Sequence, residues 1–154
     1  MKKLHYSEGS WFGVPLPRGG YAVGIIARMA PRGRIIFSYL FGPRRSALPT
    51  ADELSNLSPE TAVEYRRIGD LGLLNGEWPI IGVHPLWDRS KWPMMPFIRK
   101  IDLARAARIV YYSEDDPSTR EREVPTPFET TGFQSDGLAG YKFAEQKLDQ
   151  KIDL

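Results

Sequence analysis

The sequence predicts an α+β protein built on a strongly bent, mainly antiparallel sheet or a partly closed β-barrel, with short helices and a C-terminal covering helix. Three observations carry this. Segments rich in β-branched and aromatic residues follow one another through Gly- and Pro-containing turns, without the regular strand-helix alternation of a doubly wound sheet. The longest stretch with helical spacing of apolar residues lies at the C-terminal end. With 154 residues, 42% of them hydrophobic and 26% charged, the chain has a globular composition and enough length to bury a core, so a single domain over residues 1–154 is expected.

The elements follow in order. WFGVPLPRGGYAVGIIARM, from Trp11, reads as a strand, a turn at Pro17-Arg18-Gly19-Gly20 and a second strand through about Arg28. Pro15 lacks a ladder donor and belongs on an edge or irregular strand. After Pro31-Arg32-Gly33, the nearly continuous apolar run RIIFSYLFG predicts a third strand, buried on both sides or at a covered edge.

Thr50-Ala51-Asp52-Glu53 has capping-box spacing, and Ser58-Pro59 marks a second short helical start. Ala62–Ile68 reads as strand and Gly69-Asp70 as turn. In GEWPIIGVHP, Trp78, Ile80, Ile81 and Val83 make a short buried strand bounded by prolines. LWDRSKWPMMPF is an ordered loop carrying aromatic anchors, because Pro93 and Pro96 forbid a helix interior.

Two further strands are expected at Phe97–Ile101 and Ala107–Tyr112, joined through Asp102–Ala106. A turn follows at Asp115-Asp116-Pro117, and Arg120–Val124 returns as an exposed strand whose alternating Arg and Glu can form cross-strand pairs. Leu138, Tyr141, Ala144 and Leu148 then place a helix stripe toward the core, with Asp136 as its expected cap.

Charge is segregated along the chain. The formal total is +2, yet residues 1–50 hold eight Lys or Arg against Glu8 alone, residues 51–100 hold six against seven acids, and residues 101–154 hold seven against eleven. Such asymmetry either steers a partner or joins complementary regions on folding. With no cysteine, no disulfide, thiolate nucleophile or cysteine-ligated metal can form, as suits a reducing compartment. No 18-residue apolar run is present, so no membrane partner is expected. The opening MKKLHYSEGS lacks the apolar segment of a secretory signal, which makes cytoplasmic location the default.

Residues with chemical potential form no recognisable catalytic set. His5 and His84 lack metal-ligand spacing, and Ser7, Ser10 and Ser38 lack a nucleophile elbow. Asp115 and Asp116 read as a solvated turn, and Gly19-Gly20 belongs to no phosphate-binding pattern. No metal or cofactor is implied. His84 reads as a structural histidine unless a pocket gathers it with Asp, Glu or Arg, the one arrangement that would support a small enzyme. An alternative is a single-stranded RNA-binding module, in which Arg18, Arg28, Arg32, Arg34, Arg44 and Arg45 contact phosphates while Trp11, Phe12, Tyr21, Phe37 and Tyr39 stack on bases. The periodicity of those aromatics favours core positions instead, which disfavours nucleic acid as the partner. A generic intracellular adaptor domain is the remaining alternative.

WFGVPLPRGGYAVGII at 11–26, GDLGLLNGEWPIIG at 69–82 and WPMMPFIRKID at 92–102 resemble the immunity protein 26 family of bacterial polymorphic toxin systems. The resemblance runs from about Gly9 to Leu148 and rests on structural words rather than catalytic signatures. It implies a cytoplasmic immunity protein that binds and neutralises a cognate toxin domain, non-catalytically and without an obligatory cofactor. No family binding residue transfers by position, and the TREREVPTPF segment stands apart as individual to this chain. From the residues themselves, the exposed-loop candidates for partner binding are Trp87, Arg89 and Trp92, since an aromatic anchor beside an arginine makes a favourable hot spot. Trp78 is expected in the core.

Overall fold

The computed structural model describes residues 4–154. Lys2 and Lys3, which contribute to the basic opening segment and precede the segment weighed as a secretory signal, lie outside them. The expected bent sheet or partly closed barrel does not form. The strands make two open mixed sheets, flanked by short helices.

The six-stranded sheet is built from β1 (Ser10–Pro15), β2 (Tyr21–Met29), β3 (Ile35–Arg45), β4 (Glu64–Gly69), β5 (Ile80–Val83) and the two-residue β10 (Leu138–Ala139). Its order is β10-β4-β3-β2-β1-β5, so β10 and β5 are free edges that never meet. β6 (Phe97–Ile101), β7 (Ala106–Tyr112), β8 (Arg120–Thr126) and β9 (Gln134–Ser135) form the second sheet in the order β8-β7-β6-β9. All pairings are antiparallel except β10 with β4 and β9 with β6.

The reason for two open layers lies in the side chains of the central strands. In β3, Ile36 and Leu40 face one layer while Phe37, Tyr39 and Phe41 face the other, all buried. A small barrel with a wet outer face would leave one of these sets in water. Burying both at about 25 cal/mol per Å² requires a cover on each side.

One cover contains α3 (Tyr141–Lys151), whose Ala144 and Leu148 pack, together with the following Ile152, on Phe12, Val14, Ile26, Ile36 and Ile68. The other is the second sheet with the loop between β5 and β6, which brings Trp92, Phe97, Val110 and Tyr112 onto Trp11, Ile25, Phe37 and Tyr39. Pro85, Pro93 and Pro96 break the strand succession in that loop, so β6 starts a new sheet instead of extending the first.

Local choices agree with this frame. Pro15 sits at the end of β1, beyond the Ser10–Phe12 stretch that pairs with β5, so its missing donor costs nothing. Thr50 caps α1 (Ala51–Leu54) with the reciprocal Thr50–Glu53 capping box. Pro59–Thr61 is a single 3-10 turn rather than an α-helix. A one-turn helix, α2 (Leu71–Leu74), replaces the expected turn after Gly69, and its Gly72 is required by packing: a Cβ there would come within 2.8 Å of the Tyr141 ring.

The C-terminal helix starts later than its apolar stripe implies. Leu138 pairs with Arg67 in the sheet, and Asp136 accepts the Tyr112 hydroxyl at 2.6 Å instead of capping. Backbone pairing of 134–139 with β6 and then β4 stitches the two sheets together, which outweighs one further helical turn through Gly137 and Gly140.

Candidate partner-binding site

The loop from His84 to Pro96 is held from beneath by hydrogen bonds that start in the sheets. The His84 amide donates to the Gly9 carbonyl at 2.8 Å, and the Leu86 amide donates to His84 Nδ1 at 3.1 Å. Asp88 Oδ1 accepts from the Ser90 amide and hydroxyl at 3.0 and 2.7 Å, which starts the single 3-10 turn Arg89–Lys91. At the far end, Tyr39 and Tyr65 donate their hydroxyls to the carbonyls of Pro93 and Pro96 at 2.5 and 2.9 Å. Burial raises the pKa of both tyrosines, so they stay protonated donors across ordinary pH.

Arg28 is the strut below the loop. Its buried guanidinium donates to the carbonyls of Trp92 at 3.0 Å and Arg89 at 3.3 Å, and meets Glu114 at 3.3 Å. Its Nε is left without a partner, an expense consistent with a position chosen for the two loop carbonyls.

The three sequence candidates come together but play different parts. Trp92 is 4% exposed and belongs to the core, edge-on to Trp11 and Tyr39, so it supports the loop rather than offering a surface. Trp87 is half-buried and stacks on Trp92 with ring centres 6.1 Å apart. It also lies on the bare backbone of Gly9, where a Cβ would come within 2.8 Å of the indole. Arg89 forms a bidentate pair with Glu8, both contacts at 3.1 Å, and reaches Asp115 at 3.3 Å and the Glu114 carbonyl at 2.9 Å. Burial alone would lower its pKa, but these acids outweigh it and hold the charge more firmly. Its donors are already engaged within the chain.

What the loop presents outward is different. Leu86 is 79% exposed beside a hollow of about 470 Å³ that is also lined by Leu57, Pro59, Glu60, His84 and Lys91. Sequence reasoning passed over Leu86 and Lys91 because it sought large aromatics. The available signal was Pro85-Leu86, an apolar residue in a proline-broken loop with no periodic face on which to bury it. His84 stacks on Trp11 at 5.9 Å, and burial, with Lys91 nearby, lowers its pKa. Glu60 lines the same hollow as His84, and among the described residues no carboxylate hydrogen-bonds to the imidazole.

Folding also resolves the charge asymmetry of the linear chain. Arg44 and Arg18, from the basic opening segment, converge on Asp149 of α3 at 2.8 and 2.9 Å, and Arg28 meets Glu114. Burial would raise the Asp149 pKa, but the two guanidinium groups overcome it and hold the carboxyl below its ordinary value. The aromatic platform of the RNA alternative is likewise consumed: Trp11, Phe12, Phe37 and Tyr39 are all in the core. Among the described residues no group of three or more His, Asp or Glu could hold a metal ion, and no helix is long and apolar enough to cross a membrane.

A sequence model of a family described as immunity protein 26 matches residues 7–108. The match takes in β1 to β6, the loop just described and the start of β7, and it ends well short of the Leu148 limit of the resemblance noted above. No curated protein and no solved structure matches the chain.

Proposed function

Because the chain belongs to the immunity protein 26 family, we propose that it is a cytoplasmic immunity protein, acting as one domain, that binds a cognate toxin domain and neutralises it by occupancy. The family match is the observation that carries this reading. Immunity-family membership is consistent with a role that needs no catalysis, and it accords with a sequence without cysteine and with described residues that gather no clustered ligand set.

Within this reading the loop at 84–92 is a contact surface. Leu86 and the open edge of Trp87 supply apolar area, and Lys91 and Glu60 flank the hollow. Trp92 and Arg89 hold that surface in one shape, so little conformational entropy is lost on binding. Docking this surface over a toxin's substrate entrance would block it.

The test is coexpression with the toxin domain encoded beside this chain. Rescue of growth, and a complex with the summed mass of one copy of each, are expected. No rescue and no complex would contradict the proposal. Leu86→Asp, which buries an unpaired charge at the contact, should weaken the complex while leaving the melting temperature within a few degrees.

A further inference from the structure

Where α3 crosses the end of β4, the surface has a composition unlike the loop. A hollow of about 540 Å³ is lined by Arg66, Leu138, Phe143, Lys147 and Lys151 and by the backbone that stitches the two sheets. Among the described residues, the carboxylate that lines it, Asp136, and the buried Glu64 that pairs with two of its cations are both already engaged. Glu64, with no side-chain exposure, takes both Arg66 at 2.7 Å and Lys151 at 2.8 Å, so two cations share one buried acid. Asp136 holds the Tyr112 hydroxyl and lies 3.7 Å from Arg67. Lys147 makes no ion pair among the described residues. A local excess of positive charge therefore faces outward.

That charge surrounds apolar side chains that the fold leaves in water. Phe143 is 48% exposed and Leu138 52% exposed. The Arg66 guanidinium and the Lys147 ammonium lie 5.9 and 5.4 Å from the centre of the Phe143 ring. An exposed aromatic ring flanked by cations on the rim of a concave surface is the arrangement expected of an interface anchor. Four of the five side chains named here as lining the hollow lie beyond residue 108, outside the family match.

We propose that this α3 face is a second contact for the toxin domain and takes an acidic segment of it. Carboxylates of that segment meet Arg66, Lys147 and Lys151, and a neighbouring apolar side chain covers Phe143 and Leu138. The inference rests on the toxin-binding reading above and adds the chemistry of the partner. It assigns to this face the choice among toxins, because charge complementarity discriminates partners and speeds encounter more than it adds raw affinity. A protein segment fits better than a nucleic acid. The cations ring two apolar side chains in one hollow instead of tracking along a groove, and Arg32 and Arg34 of the basic opening segment line a separate hollow at the β2–β3 turn.

The experiment titrates the full chain with the toxin domain encoded beside it, at about 50 and about 300 mM salt, spanning the range over which exposed charges become screened. Lys147→Glu and Phe143→Ser alter exposed positions, and unchanged melting curves check that the fold survives. Each should weaken binding by about tenfold, with Lys147→Glu also flattening the salt dependence. Arg32→Glu makes the same change in net charge at the β2–β3 turn, outside this hollow, and should alter binding less than about twofold. Wild-type binding with both α3-face variants within about twofold overturns this inference and leaves the toxin-binding reading intact. An equal loss from Arg32→Glu also overturns it, since net charge alone would then act. Loss of binding to a single-stranded RNA oligonucleotide in Lys147→Glu, with toxin binding unchanged, would make the face a nucleic-acid site instead. Absence of a wild-type complex removes both readings.

Discussion

Residues 7–108 and residues 109–154 are stabilised by different means. The first part lays down β1 to β6 around side chains buried on both faces of a sheet, with Trp11, Phe12, Ile25, Ile26 and Phe37 fully enclosed. The second part is fastened onto that frame by Val110 and Tyr112 of β7, by the short apolar stripe of α3 and by specific polar pins. Trp78 Nε1 donates to Glu145 at 2.9 Å, Arg18 and Arg44 grip Asp149, and Lys151 reaches Glu64. At the far side, β8 is almost wholly exposed and held by the pairs Arg99–Glu123 and Arg120–Glu123, with Arg122 lying over the Tyr111 ring. The frame owes its shape mainly to non-directional burial, and the attached part adds directional bonds to a smaller buried contact. A surface carried by the attached part can change its side chains without disturbing the core, which suits it to partner choice.

The sharpest way to break this contrast is Trp78→Ala. The indole stacks on Phe12 at 5.5 Å and supplies the donor for buried Glu145, so its loss should cost about 3–5 kcal/mol in denaturant unfolding. A cost below about 1 kcal/mol would mean that α3 and the sheet are not packed through this residue. Asp149→Asn comes next. Removing the charge that two arginines share should cost about 1.5–3 kcal/mol, read as a fall of several degrees in melting temperature. No change would reduce the pin to a surface ornament.

pH separates the two parts further. His84, in the first part, has a folded pKa below 6.5, so the unfolded chain takes up its proton first. Its contribution to stability is complete above about pH 6.5 and is lost as the pH falls below that toward the folded value. Asp149, in the second part, has a folded pKa below 3.8, so its contribution is present above that and is lost as the pH falls through 3.8 toward the folded value. Melting curves from pH 7.5 to 3 should therefore show two declines. His84→Gln should remove the first, and Asp149→Asn should shrink the second, to which Asp88 and Asp116, also held below their ordinary values by hydrogen bonds, contribute as well. The smallest effect belongs to β8, where Glu123→Ala should cost no more than about 1 kcal/mol, as exposed pairs do.

The legibility of the chain follows the same division. β1, β2 and β3, the Thr50 cap, and β6 and β7 were readable because β-branched runs, prolines and cap chemistry are local signals. Layer closure was not. Whether the apolar faces of β1 to β3 close on themselves or accept two covers depends on long-range pairing, and only the two-sided burial of IIFSYLF pointed toward covers. β9 and β10 are two residues each and carry no pattern of their own; they form because 134–139 passes the open edges of β6 and β4. At the candidate site the sequence drew attention to Trp87, Arg89 and Trp92, and folding divides them. Trp92 is drawn inward by its aromatic neighbours and Arg89 by Glu8, which leaves Leu86 and Lys91 outward. The linear charge asymmetry was visible too, but its meaning required knowing that Arg18 and Arg44 meet Asp149.

The central claim, neutralisation by occupancy, is tested most directly by titrating the purified toxin domain's activity with this protein at concentrations far above the dissociation constant. Activity should fall in a straight line and vanish at one equivalent. Complete inactivation by a small fraction of an equivalent would show turnover, and undiminished activity past one equivalent would show no neutralisation; either result contradicts the account.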